Sequence, residues 1–113
     1  MNCIRLSFEH CASPTSGVRV MDIQSLHRFA GYNIGSCETN HLVLKDPSVC
    51  LYHAKIDMVS TNEFVLTHLP TGRRDSVRVN EKWLPVGQSM KIYNRDRLVI
   101  GGVVVTFETN VNI

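Results

Sequence analysis

The sequence predicts an all-β domain, a sandwich or barrel of about ten to eleven short, mostly antiparallel strands. Three observations carry that expectation. Val, Ile, Leu and Phe recur at every second position in one segment after another, as they do in a strand with one buried face. Gly, Pro, Asn and Asp punctuate those segments at close spacing, where turns need them. No window combines a helical period with the caps that would start and stop a helix.

Residues 3–9 alternate Ile4, Leu6 and Phe8 against Cys3, Arg5 and Ser7, which predicts a half-buried strand with its even positions inward. Residues 12–17 hold Pro14 and Gly17 and read as a loop. Residues 18–23 give a second strand, and residues 24–31 a loop, because the helical alternative there is short and uncapped. Strands follow at 32–35 and 41–44, then an Asp46-Pro47-Ser48 turn and a strand through Ile56, whose alternation puts Leu51, His53 and Lys55 on one outward face.

Residues 63–69 predict a strand with Phe64 and Leu66 inward, closed by Pro70-Thr71-Gly72, and 75–79 a shorter one with Val77 and Val79 inward. Trp83 and Leu84 lead into a Pro85-Val86-Gly87 turn and a strand at 88–92. The clearest hairpin joins 97–100 to 103–109 through Gly101-Gly102, since two glycines permit the positive φ angles of a two-residue turn. Its inward face is Leu98, Ile100, Val103, Val105 and Phe107, which leaves Val99 and Val104 outward. Residues 110–113 trail off as if continued in a longer chain.

Hydrophobic residues make up 43% of the 113 and charged residues 19%, the composition of one globular domain able to bury its own core. No run reaches the ~18 apolar residues of a membrane span, and the early Glu9 and His10 do not fit a signal peptide. Twelve basic residues against ten acidic give a net charge of +2, scattered except at Arg73-Arg74 and Arg95/Arg97. Backbone-driven nucleic-acid binding wants that charge concentrated on one face. Cysteines at 3, 11, 37 and 50 form no Cys-x-x-Cys pair and are expected to be reduced thiols.

The run Ile34-Gly35, a short apolar strand at 41–44, and His53-Ala54 resembles the core of the forkhead-associated (FHA) family, whose pattern is Ile-Gly-Arg, a short hydrophobic strand, then Ser-Arg-x-His-Ala. Val79-Asn80-Glu81-Lys82-Trp83-Leu84, Gly87, Ile92, Arg95-Asp96, Leu98-Val99-Ile100-Gly101 and Val105-Thr106-Phe107 match the family's later Val-Asn-Gly-x-x-Leu run and last hairpin. The resemblance implies a single FHA-type β-sandwich over residues 1–113, with its core at about 3–109, in the N-terminal part of a longer protein.

In that family phosphothreonine is held by the Arg after Ile-Gly, by the Ser and the basic residue of the Ser-Arg-x-His run, and by an Asn before Val-Asn-Gly. Bidentate guanidinium contacts and a hydroxyl suit a dianion. Carried over, those positions are Ser36, Cys50 and Leu51, with the Asn-Gly falling at Asp75-Ser76 or, with a shifted gap, at Arg73-Arg74; His53 alone is kept, and in the family it props the loop from within. Losing two cations and a hydroxyl removes several contacts worth ~1.5–3 kcal/mol each. Arg73 and Arg74, with Ser36, are the material for a compensating phosphate site.

Catalysis finds little support. Cys50 and His53 lie three apart on an expected strand and would point to opposite faces. Cys37 and His41 lack a second ligand pair, and His10, His27 and His68 are isolated. The expectation is a non-catalytic interaction module without cofactor, metal, small-molecule substrate, direct nucleic-acid contact or membrane contact. Its loss of the phosphate residues resembles the divergent FHA domains of DNA-damage checkpoint mediators. That likeness implies a nuclear protein that pairs with itself and with other proteins. Val99, Val104 and Leu51 are the expected partner surface.

Overall fold

The computed structural model describes residues 2–10, 16–22, 31–60, 63–70 and 74–112. Eleven strands run in order: β1 (Asn2–His10), β2 (Ser16–Asp22), β3 (Tyr32–Gly35), β4 (Leu42–Val43), β5 (Ala54–Ser60), β6 (Glu63–His68), β7 (Val77–Val79), β8 (Lys82–Trp83), β9 (Ser89–Ile92), β10 (Asp96–Ile100) and β11 (Val103–Asn112). They form a six-stranded sheet, β2-β1-β11-β10-β7-β8, and a five-stranded sheet, β4-β3-β5-β6-β9. Every pair is antiparallel except β3 with β4. This is the all-β sandwich that the alternation predicts.

Two inner faces make the core. The six-stranded sheet contributes Ile4, Leu6, Val77, Val79, Leu98, Ile100, Val103, Val105 and Phe107, all buried. The other contributes Tyr32, Ile34, Ala54, Ile56, Phe64, Leu66 and Ile92. Phe64 and Phe107 meet between the sheets, ring edge toward face, with centroids 5.3 Å apart, the geometry aromatic quadrupoles prefer. Because side chains alternate, the residues between these inward positions must face solvent. Val99 and Val104 lie on that outer face, half-buried and paired directly across β10 and β11.

Turn chemistry fixes the register. In the Gly101-Gly102 turn Gly101 takes φ +59° and Gly102 stays out of the left-handed region. That is the pattern of a type II′ turn, in which only the first central residue needs positive φ. At the opposite corner Asp96 closes the turn before β10, accepting from the Tyr93 N–H at 2.8 Å and from Asn80 Nδ2 at 3.2 Å. Arg5 and Glu108 pair β1 to β11 through two bonds of 3.0 and 2.9 Å. The Arg5 side-chain hydrogen bonds hold the Glu108 carboxyl below its usual range, against the opposing cost of desolvation. That contribution to stability is therefore present above the ordinary carboxylate pKa and is lost as pH falls through the lowered one.

Several expectations are corrected. The strand before Ile56 begins only at Ala54, none of residues 44–53 being strand, so the alternation that put His53 outward beside Leu51 does not apply. His53 is completely buried while Leu51 is 64% exposed. Lys82–Trp83 is a strand rather than a lead-in to a turn. β11 runs past the expected strand end at 109 to Asn112, which pairs with Asn2. β2 starts at Ser16, inside the expected loop. Residues 23–30, including most of the expected loop before β3, and residues 71–73 lie outside the described residues.

Candidate functional site

Three loops converge at one end of the sandwich: residues 36–41 after β3, 44–53 before β5, and 74–76 before β7. Gly35 lets the first two close on each other. A Cβ there would sit 2.1 Å from the Leu51 carbonyl oxygen and 2.8 Å from Asn40 Nδ2, so no other residue fits this backbone. With Gly35 in place, Ser36 N–H donates to Cys50 O at 2.9 Å and Cys37 N–H to Leu51 O at 3.2 Å. Asn40, 7% exposed, donates through Nδ2 to Cys37 O at 2.8 Å and Leu51 O at 2.6 Å, sewing the loops from below.

His53 joins the second loop to the third. Its Nδ1 accepts from the Cys50 N–H at 3.0 Å, and its Nε2 lies 2.8 Å from Ser76 Oγ. The neighbouring ring, His68, stacks on it at 5.6 Å and bonds Leu84 O through Nδ1 at 2.8 Å. His68, expected to be isolated, is thus a buried partner of His53 that β6 carries across from β5 at the register Ala54↔His68. Its signal was the inward period of Phe64, Leu66 and then position 68.

Above this buried layer the loops present a hydroxyl and thiol cluster. Cys37 Sγ lies 3.2 Å from Thr39 Oγ1, which lies 2.5 Å from Tyr52 Oη, and Tyr52 Oη donates back to Cys37 Sγ at 3.5 Å. Bonds from the Thr39 side chain and backbone, then from Tyr52, lower the Cys37 thiol to about 7, with Lys45 adding a weaker pull. Nothing in the sequence pattern marked Thr39 or Tyr52. They meet only because residue 52 lies in a bend rather than a strand.

The expected site positions are distributed as follows. Ser36, Cys50 and Leu51 are brought together by the two backbone bonds, and His53 lies beneath them. Asp75 is exposed at φ +52°, and its neighbour Ser76 is the residue in contact with His53. Arg74 is exposed; Arg73 lies outside the described residues. Val99 and Val104 sit on the six-stranded sheet, whereas Leu51 belongs to a loop of the other and shares no strand with them. Cys37 and Cys50 are free thiols, and Cys11 and the Cys3 side chain lie outside the description. Among the described residues no group of His, Cys, Asp and Glu is placed to hold a metal ion, and no helix is long and apolar enough to cross a membrane.

Charge decides what such a surface can grip. The Ser36, Cys50 and Leu51 side chains carry no cation, Lys45 is engaged with Glu38 at 3.4 Å, and among the described residues of the converging loops Arg74 is an exposed guanidinium. Hydroxyls and a thiol supply hydrogen bonds, but a phosphate dianion is held mainly by charge-assisted ones.

The sequence pattern of the FHA domain matches residues 32–101. The chain belongs to the FHA family, whose members are protein-interaction modules. Solved structures with the same fold include the FHA domain of CT664 from Chlamydia trachomatis, 18% identical, TM-score 0.73, covering 94% of this chain and 96% of that one. The yeast Dun1 FHA domain in complex with a doubly phosphorylated peptide derived from Rad53 is 17% identical, TM-score 0.71, covering 98% of this chain and 77% of that one. Mycobacterium tuberculosis EmbR in complex with a phosphopeptide is 20% identical, TM-score 0.69; the match covers 96% of this chain and only 25% of EmbR. Comparison with curated protein sequences yields no match.

Proposed function

We propose that this FHA domain is a homodimerisation module of a nuclear DNA-damage-response mediator or scaffold protein, and that it works without the family's phosphothreonine pocket. The observation that carries the reading is one row of side chains on the outer face of the six-stranded sheet. Cross-strand register aligns Glu9, Val104, Val99, Arg78 and Trp83 in that order over five strands. Trp83 is 52% exposed with the Arg78 guanidinium 5.2 Å from its ring, and Val18 and Val20 on β2 extend the apolar surface.

This row is self-complementary. A two-fold axis parallel to the strands and between β10 and β11 reverses it, so Val99 of each copy meets Val104 of the other at the centre while Glu9 faces Arg78 at each end. A standard interface buries roughly 800 Å² per subunit and needs only a few anchors at its centre. Neutral Ser36, Cys50 and Leu51 at the phosphate positions support the other half of the reading.

Light scattering at tens of micromolar tests the dimer. The expected mass is twice 12.7 kDa, and a mass of one chain overturns it. Titrating a phosphothreonine peptide library tests the pocket. Binding tighter than about 50 μM that disappears on dephosphorylation would favour instead a non-standard receptor built on Arg74, Arg73 and Ser36.

A further inference from the structure

One sheet ends on β8 and the other on β9, and between these edges the sandwich has an open side. A cleft of about 770 Å³ lies there, with Val79 and Met90 against the core and Tyr93, 63% exposed, at its rim. It is built from elements away from the converging loops, and Val99 and Val104 do not line it.

The register shows what β9 presents to this opening. His68 N–H donates to Gln88 O at 3.0 Å, so residues 68 and 88 form a hydrogen-bonded pair. Alternation then makes Leu66↔Met90 and Phe64↔Ile92 the next bonded pairs. The N–H and C=O groups of Ser89 and Lys91 must consequently point away from β6, toward the free edge. Two donors and two acceptors in one extended row are a template for another strand.

Charge selects the kind of strand. Lys82, Lys91 and Arg97 line the cleft against Glu81 and Asp96. Asp96 is engaged by Asn80 and the Tyr93 N–H, and Lys91 also approaches Glu63 at 3.4 Å. Counted together, Lys82, Lys91 and Arg97 outnumber Glu81 and Asp96 by one, and among the described residues neither Lys82 nor Arg97 is in an ion pair, so the cleft carries a net positive charge beside apolar Met90 and Val79. We infer that the β9 edge accepts an extended acidic segment of a partner protein as an added strand, its backbone on Ser89 and Lys91 and its carboxylates on Lys82 and Arg97.

The test is an amide NMR titration of this chain with a synthetic peptide of about ten residues alternating glutamate and valine, at about 50 mM salt. Shifts at Ser89, Lys91, Lys82 and Tyr93 are expected, with affinity falling about tenfold or more in Lys82→Glu and in Arg97→Glu. Lys91→Pro removes the outward donor without touching a bond to β6, and should abolish the shifts while the remaining spectrum stays folded. Charge-reversed variants keep the test decisive if the proline variant does not fold. The inference is overturned if the peptide moves only the loops at 36–53, if a lysine-valine peptide binds equally, or if an oligothymidine of equal charge shifts the same residues as strongly. It is also overturned if Lys91→Pro turns a dimer into a monomer, because the edge is then occupied by a second copy. Failure of the outer-face dimer, read from Val99 variants, leaves this result unaffected.

Discussion

His53 Nε2 and Ser76 Oγ lie 2.8 Å apart, and the bonds around them have one allowed direction. The Cys50 N–H can only donate, so His53 Nδ1 accepts and its proton is on Nε2, which donates to Ser76. Leu84 O can only accept, so His68 carries its proton on Nδ1 and offers Nε2, 3.5 Å away, to the Ser76 hydroxyl. The result is a polar chain from the Cys50 backbone to the Leu84 backbone through two buried, stacked rings. It ties the second converging loop to the third, and both to the residue after β8, through two fully buried rings.

Removing a link should therefore be costly although no ligand touches it. Ser76→Ala leaves a buried imidazole N–H without this acceptor, and should lower unfolding free energy by about 1–3 kcal/mol. His53→Ala also empties the ring's volume and strands the Cys50 N–H, and should cost about 2–4 kcal/mol. Urea titration followed by tryptophan fluorescence checks both. An unchanged midpoint in His53→Ala would show that the chain carries no stability.

Glycines in the same fold should separate sharply. A Cβ at Gly35 would lie 2.1 Å from Leu51 O, in backbone that cannot yield without opening both loops. Gly87 has φ +80° but no atom within 4 Å of its would-be Cβ. Gly87→Ala should cost only the left-handed backbone, about 1–2 kcal/mol; Gly35→Ala should exceed that by several-fold or fail to fold, as thermal melts of the pair would report.

The contrast between Gly35 and Leu51 also marks how far the sequence could be read. Strands and their inward residues were legible because Ile4, Leu6, Phe64, Leu66, Leu98, Ile100, Val103, Val105 and Phe107 alternate strictly, and a one-residue slip would expose them all. The segment before Ala54 was not. Cys50, Leu51 and Tyr52 are shaped by Gly35, Asn40 and His53 reaching in from elsewhere, so local alternation gave the wrong face for His53. The family resemblance pointed at Ser76, but its buried role carried no mark for the same reason: a serine between an aspartate and a valine has no pattern, and its partners His53 and His68 are 23 and 8 residues away. Tertiary hydrogen bonding, unlike periodicity, leaves no mark on neighbouring positions.

Cys37 supplies a pH-dependent readout of the same surface. With Thr39 and Tyr52 favouring the thiolate, its thiol titrates at about 7. Alkylation by iodoacetamide should rise through pH 7 and level off above it, since the thiolate is the nucleophile. Tyr52→Phe removes one favouring bond and should shift the profile upward, slowing the reaction at neutral pH. Peptide-resolved mass spectrometry reads Cys37 separately from the other cysteines, and identical profiles in wild type and Tyr52→Phe would dismiss this account.

The outer row of the six-stranded sheet makes the most direct claim on assembly. Val99 and Val104 face each other across β10 and β11 and neither enters the core, whose inward positions on these strands are Leu98, Ile100, Val103, Val105 and Phe107. Replacing either valine by arginine should leave the melting temperature within a few degrees of wild type, as for surface changes generally. In a two-fold contact each substitution appears twice, near the axis, and places unpaired like charges in a dry contact. The dimer should dissociate to 12.7 kDa by light scattering at concentrations where the wild type stays paired. Glu9→Arg adds an independent check at the rim, because it sets an arginine against Arg78; it should weaken the dimer less, and raising the salt should restore part of the loss as screening grows. If Val99→Arg and Val104→Arg both remain dimeric, this face is not the interface, whatever the mass of the wild type.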